Sequence, residues 1–278
     1  MVFANLVNQF DAAAKKVSPE NSGDYYVDEI LHCGKCNTPK ESVFDVPLVG
    51  VRKVRHLCKC GEAAFQAERE AERKEQERIR INQLRSAGLH DKALANMTFE
   101  NDNGCNVNMK TARKFVDNWK EIKEKNMSAI FMSGVGRGKT FVAACIANAL
   151  IKRGVPTLMT TSSRLIDKAM GFDAQYDFIN EMREYDLLII DDFGAERTTE
   201  YALQKLFDVI DARVKQNKPM ILTTNLTMEE MKRPENLTYE RIFSRVMGVC
   251  VPIVFEGRDL RKAQGAEKIR QGLGLFAD

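Results

Sequence analysis

The chain has 278 residues, a formal net charge of +3, 44% hydrophobic and 29% charged residues, which leaves room for one full domain of about 180 residues plus a small module. No apolar run approaches the ~20 residues that a membrane-crossing helix needs, and the mild positive balance permits nucleic-acid contact without demanding it. The opening MVFANLVNQFDAAAKK is too soon acidic for a secretory signal, so a cytoplasmic location is expected, where seven cysteines point to metal or free thiols rather than disulfides.

Residues 1–66 read as a first unit. A short amphipathic helix leads through the loop SPENSGD to a segment bearing cysteines. Cys33 and Cys36 in HCGKC are followed by Cys58 and Cys60 in HLCKC, and the valine-rich stretch between them suits a hairpin. Two cysteine pairs at the base of one hairpin follow the logic of a zinc ribbon, with four thiolates around a tetrahedral Zn²⁺. His32 and His56 each adjoin a cysteine, and either could replace a thiolate; reduced, inert cysteines are the competing reading. Cys105, Cys145 and Cys250 are expected to pack rather than ligate.

Residues 67–94 read as a linker. EAAFQAEREAERKEQERIRINQLR is dense in mixed charge, free of Gly and Pro, and spaced for i,i+4 pairs such as Glu70 with Lys74. A solvated connecting helix is expected, because balanced acids and bases give little net attraction to a phosphate backbone.

The third unit, residues 95–278, alternates strands and helices, which specifies a parallel sheet covered on both faces. Its centre is AIFMSGVGRGKT. An apolar strand runs into a turn punctuated by Gly134, Gly136 and Gly138, and Lys139 and Thr140 open a helix. Such a loop folds its backbone N–H groups around phosphate oxygens, with the positive end of the new helix aimed at them. Ser133, Gly134, Val135, Gly136, Arg137, Gly138, Lys139, Thr140 and Phe141 are therefore expected to hold ATP. Lys139 would reach the β- and γ-phosphates and the Thr140 hydroxyl would ligate Mg²⁺. Ser133 stands where the GxxxxGK[ST] pattern has its first glycine.

Downstream, DLLIIDDFG sets an unbroken apolar run, as in a strand buried on both faces, before the paired carboxylates Asp191 and Asp192. In a Walker B strand the first acid holds Mg²⁺ through its water shell and the second orients the attacking water. PMILTTN repeats the pattern and ends in Asn225, placed as a sensor of the γ-phosphate. These motifs describe a nucleotide-hydrolysing α/β domain. About 22 residues follow the last strand, too few for a helical lid or a separate DNA-reading domain.

From TFEND through FMSGVGRGKTFVAACIANALIKRG, DLLIIDDFG, ILTTN and YERIFSRV, the chain resembles the AAA+ helicase loaders of the DnaC/DnaI type, bacterial or phage. The likeness spans roughly residues 95–262. It implies ATP hydrolysis at Lys139, Asp191, Asp192 and Asn225, with Asp192 standing where many AAA+ proteins have Glu. Arg245 matches the arginine finger that completes a neighbour's site, with Arg241 as second candidate. Arg261 matches the sensor-2 position loosely, and Arg258 could serve instead. The region SSRLIDKAMGFDAQYDFINEMREY resembles the insert that loaders and initiators use on single-stranded DNA. Arg164 and Lys168 share a helical face there, with Phe172 four residues on and Tyr201 beyond Walker B. The implied function is delivery of a DnaB-type replicative ring helicase onto single-stranded DNA by a self-assembling ATPase, with the cysteine module binding the helicase. The alternatives are an IstB-like transposition helper and a nucleotide-gated adaptor with little turnover.

Overall fold

The computed structural model describes residues 21–47, 50–169, 174–194, 199–234 and 236–276. The expected opening helix and Phe172 lie outside these residues. The chain divides into two compact units, one ending at Arg78 and one beginning at Ile79.

In the first unit, β1 (Tyr25–Val27) and β2 (Ile30–His32) pair antiparallel. They are joined by Asp28 and Glu29, both left-handed at φ 48° and 63°. Such primed turns match the twist of the flanking strands. The valine-rich stretch forms the expected hairpin: β3 (Glu41–Val46) and β4 (Gly50–Arg55) pair with Glu41 opposite Arg55, and those two side chains form an ion pair at 3.2 Å. Helix α1 (Lys59–Gly88) begins among the second cysteine pair and carries the mixed-charge sequence, with Glu70 and Lys74 paired at 2.8 Å.

The second unit takes in the last turns of α1, whose Ile81 and Leu84 pack into its core. Gly88 is needed there because a Cβ would lie 1.9 Å from the Thr157 carbonyl oxygen. Then follow α2 (Lys92–Ala95), α3 (Met109–Asp117), α4 (Trp119–Glu124), β5 (Ser128–Met132), α5 (Lys139–Lys152), β6 (Thr157–Thr161), α6 (Ser162–Ala169) and α7 (Ala174–Glu181). The chain continues as β7 (Leu187–Phe193), α8 (Glu200–Lys215), β8 (Met220–Thr224), α9 (Met228–Lys232), α10 (Leu237–Val249), β9 (Cys250–Val254) and α11 (Leu260–Phe276). A helix of 17 residues thus follows the last strand, a stretch to which the sequence reading had assigned no element.

All five strands of the main sheet are parallel, in the order β6-β7-β8-β5-β9. Strand residues alternate between its faces. Leu188, Ile190, Leu222, Ile130 and Met132 pack with α6, α7, α8 and α10. Leu187, Ile189, Ile221, Ala129 and Phe131 pack with α3 and α5. Helix α5 is buried nearly all round, which explains why FVAACIANALI shows no polar stripe. No described helix is long and apolar enough to cross a membrane.

One buried cation ties the sheet's N-terminal edge together. The Arg213 guanidinium, fully buried, donates to the carbonyls of Met182, Tyr185, Asp186 and Pro219 at 2.7–3.2 Å. Burial pulls its pKa down to about 10. Arg213→Met would leave those acceptors short of donors, at ~1–3 kcal/mol for each one left unsatisfied. A loss of at least ~3 kcal/mol is expected, read as a lower urea midpoint from the fluorescence of Trp119, the chain's single tryptophan, which sits in this unit's core.

Candidate nucleotide site and cysteine cluster

The glycine turn after β5 leads into α5 at the end of the sheet where the apolar runs of β5, β7 and β8 give way to polar residues. It borders a cavity of about 430 Å³. Gly136 and Gly138 both sit at φ 80°. A Cβ on Gly138 would lie 2.4 Å from Asn106 Nδ2, and one on Gly136 would lie 2.0 Å from Asp259 Oδ1. Both positions therefore favour glycine for conformation, and a Cβ at either would also displace a neighbouring side-chain end.

Lys139 is buried, and its Nζ donates to Asn225 Oδ1 at 2.8 Å, to the Ser133 carbonyl at 2.9 Å and hydroxyl at 3.0 Å, and to the Gly134 carbonyl at 3.1 Å. The helix lysine, the loop and the end of β8 thus meet at one point. Ser133, the departure from the usual pattern, supplies a hydroxyl to that lysine. Thr140 Oγ1 donates to Asp191 Oδ1 at 3.1 Å, joining the first turn of α5 to β7. Asp192, next in chain, is exposed, left-handed at φ 54°, and faces the cavity. Burial lowers the pKa of Lys139 and raises that of Asp191. Each charged form therefore gains from a counter-ion, an anion at Lys139 and a cation at Asp191.

Of the residues expected to hold a nucleotide, Val135, Gly136, Arg137, Gly138, Lys139, Thr140, Phe141, Asp192, Asn225 and Arg261 line the cavity. Arg258 lines it as well. Both arginines arrive because the chain after β9 is stapled to the loop: Arg137 donates to the Phe255 carbonyl at 3.2 Å and the Leu260 N–H to the Gly136 carbonyl at 2.8 Å. Arg245 is elsewhere. It pairs with the buried Asp211 at 2.9 Å and does not border this cavity. Arg241 lies over the Phe207 ring at 4.1 Å. Arg164 is exposed on α6, whereas Lys168 sits over the Phe178 ring at 5.2 Å and 3.9 Å from Glu181. Tyr201, half exposed, lies under Lys205 Nζ at 5.1 Å.

The sequence reading missed one wall, formed by Asn101, Asp102, Asn103, Cys105 and Asn106. Asn106 Nδ2 donates to the Gly138 carbonyl at 3.4 Å, and its oxygen accepts from the Asn108 backbone and side chain at 3.0 Å each. Asn108 in turn bonds the Glu256 backbone in both directions. An asparagine-rich run, NDNGCNVN, was the available signal. Cys105, expected to pack, is exposed on this wall because its turn has no apolar periodicity; Cys145 and Cys250 do pack, and burial pushes both thiols up to about 12.

In the first unit, the ligand atoms of Cys33, Cys36, Cys58 and Cys60 all lie within 4.8 Å of one another. Cys33 and Cys60 sulfurs are 3.6 Å apart and Cys58 and Cys60 sulfurs 3.4 Å. A tetrahedron with ~2.3 Å Zn–S bonds has edges of about 3.8 Å, so the donor set fits a structural Zn²⁺. Backbone N–H groups of Cys36 and Lys35 hold the Cys33 thiol down. The Thr38 hydroxyl and the Cys60 backbone N–H bring Cys36 to about 5, while the sulfur of Cys58, then those of Cys36 and Cys33, push Cys60 up to about 12. Held as four thiolates at this spacing, they would call for a cation among them. Neither histidine joins the group. His32 Nδ1 donates to the Ile30 carbonyl, and His56 bonds Ser42 and the Leu57 carbonyl, all at 3.0 Å.

Comparison with known proteins follows the same lines. The chain is 28% identical over 150 residues to the "Replicative helicase loader DnaC" of Escherichia coli (strain K12), a match covering 52% of this chain and 59% of that protein's length. It is 28% identical over 145 residues to the "Phage-like element PBSX protein XkdC" of Bacillus subtilis (strain 168), covering 47% and 52%. The match thus spans between half and three-fifths of the length of these two relatives. The solved structure of "the DnaC helicase loader" superposes with a TM-score of 0.50 at 22% identity, over 60% of this chain and 100% of that one, and shows the shared AAA+ fold. A family described as "IstB-like ATP binding protein" matches residues 63–265, a span that takes in the glycine loop, the paired carboxylates, Asn225 and both cavity arginines, and the chain belongs to that family.

Proposed function

We propose that the chain is an ATPase that loads a DnaB-type ring helicase onto single-stranded DNA. The observation that carries this reading is the cavity lined by Lys139, Thr140, Asp192 and Asn225, with the buried Asp191 bonded to Thr140, in a chain whose relatives include a replicative helicase loader. Lys139 and the loop amides hold the triphosphate, and Arg258 and Arg261 add charge from the segment after β9. Thr140 and Asp191 would hold Mg²⁺, whose charge would offset that developing on the phosphates. Asp192 orients the attacking water, and Asn225 senses the γ-phosphate. Within its own chain Arg245 is engaged by Asp211 away from the cavity, which supports its use against a neighbour's nucleotide in an assembly. Arg164, Lys168 and Tyr201 are the described candidates for the DNA track. Residues 1–66, with Zn²⁺ held by the four cysteines, form the helicase-binding module; residues 67–94 connect it to the ATPase at 95–278, in a cytoplasmic protein.

The test is loading itself. With ATP, the chain should raise retention of a ring helicase on closed circular single-stranded DNA by about tenfold or more. Arg245→Ala should bind ATP yet fail in this assay. Mixing it with Lys139→Ala should recover part of the activity, since an intact loop can then meet an intact finger. ATP hydrolysis without any change in helicase retention would defeat the loader reading and leave the ATPase standing. The IstB-like family match favours one alternative, a transposition helper, for which stimulation of a transposase would be the positive result.

A further inference from the structure

Strand β8 ends in Thr223 and Thr224, and Asn225 follows directly. Thr223 is fully buried. Its Oγ1 donates to Asp191 Oδ1 at 2.5 Å and accepts from the Asp192 N–H at 3.1 Å. A hydroxyl carries one hydrogen and two lone pairs, so both bonds can exist at once.

The sheet explains why the second bond matters. The β7–β8 ladder shifts register between Ile190 and Phe193, the stretch that holds the two acids. Such an irregularity re-aims side chains but leaves a backbone group without its ladder partner. Here the Thr223 hydroxyl stands in for the missing carbonyl. It also supports Asp192 at φ 54°, a region that residues with a Cβ rarely enter. The consequence is a division of labour between adjacent acids. Asp191 turns inward to Thr140, and Asp192 turns out into the cavity.

We propose that Thr223 is a positioning residue for this pair of carboxylates: it fixes the Asp191 oxygen shared with Thr140 and holds the backbone turn that presents Asp192. The proposal rests on the ATPase reading of the site. It makes the β8 terminus a double contact, since Asn225 engages Lys139 from the same strand end, so that one strand registers both the phosphate-binding lysine and the metal-side carboxylate.

The experiment compares Thr223→Val, which keeps the shape and removes the hydroxyl, with Thr223→Ser, which keeps the hydroxyl and removes a methyl. Valine should lower kcat for ATP and raise the Mg²⁺ concentration for half-maximal rate, each by about 10-fold or more, the usual consequence of losing a second-layer partner. KM for ATP at saturating Mg²⁺ should move by less than about threefold, and serine should restore both parameters to within about threefold of the parent. A purely packing role gives the reverse order, with the methyl-deleted serine chain worse than valine. If the valine chain does not fold, Thr223→Ala against Thr223→Ser isolates the same hydroxyl. An unaltered Mg²⁺ dependence in folded valine or alanine chains overturns the proposal, as does failure of serine to rescue. Absence of ATP turnover in the parent protein would instead overturn the ATPase reading on which it stands.

Discussion

Lys139→Ala should abolish the response of the protein to ATP while leaving its fold at least as stable as before. The two effects share one cause. The ammonium is buried among the Ser133 and Gly134 oxygens and Asn225, and burial lowers its pKa. It also occupies the first turn of α5, where the helix dipole disfavours a cation. Such a group is held ready for an anion rather than for the folded state. Removing it deletes a charge-assisted contact to phosphate, a class of hydrogen bond worth ~1.5–3 kcal/mol, and further Coulomb attraction in a partly desolvated site. Nucleotide affinity should therefore fall by at least about 100-fold, equivalent to ~2.7 kcal/mol. The measurement is the melting temperature with and without ATP and Mg²⁺. The parent should be stabilised by ~2.7 kcal/mol at a hundredfold excess over Kd. The variant should show no shift, with a nucleotide-free melting temperature equal to or above the parent's. A retained ATP shift would mean that the loop does not bind phosphate through Lys139.

How much of this was legible in the sequence depended on whether the signal was local. The runs of β5, β7 and β8 were readable because strands buried on both faces are apolar throughout, and the glycine loop was readable because its chemistry lies within ten residues. The β3–β4 hairpin followed from its valines. The β1–β2 hairpin did not, since Asp28 and Glu29 adopt the left-handed turn without the glycine that usually marks it. The asparagine wall escaped because Asn106 and Asn108 act on Gly138 and Glu256, far along the chain, and nothing at positions 101–108 announces those partners. Arg213 was unreadable for a related reason. Arginine ordinarily implies surface, and only the convergence of four carbonyls from the β7 and β8 approaches makes its burial tolerable. Thr223 sat two residues before Asn225 in plain view, but its contacts depend on a ladder shift in the neighbouring strand that apolar pattern does not encode.

Removing zinc should unfold the first unit and spare the second. Between residues 21 and 58 the described buried apolar side chains are Leu31 and the two cysteines Cys33 and Cys58, whereas Tyr25, Tyr26, Val27, Val43, Phe44, Val51 and Val54 are exposed. Two short hairpins with so little core cannot offset the conformational entropy of ordering them. Some support comes from the buried pair of Asp24 and Lys40 at 2.7 Å, where Asp24 also accepts from the Gly34 N–H inside the first cysteine turn and is held near pKa 2. That contact shapes the turn, but it does not neutralise four clustered sulfurs. Structural Zn²⁺ sites of this kind contribute ~10–16 kcal/mol of apparent binding free energy, nearly all of it folding free energy. The purified protein should therefore carry one zinc per chain. A strong chelator, or Cys36→Ser, should abolish protection of the β1–β4 amides from hydrogen exchange, while ATP-induced stabilisation of the nucleotide-binding unit persists. On the loader reading proposed above, helicase retention on DNA should fall with the metal even though ATP binding does not. A metal-free protein with protected β1–β4 amides and four freely titrating thiols would show that the cysteines pack without a metal.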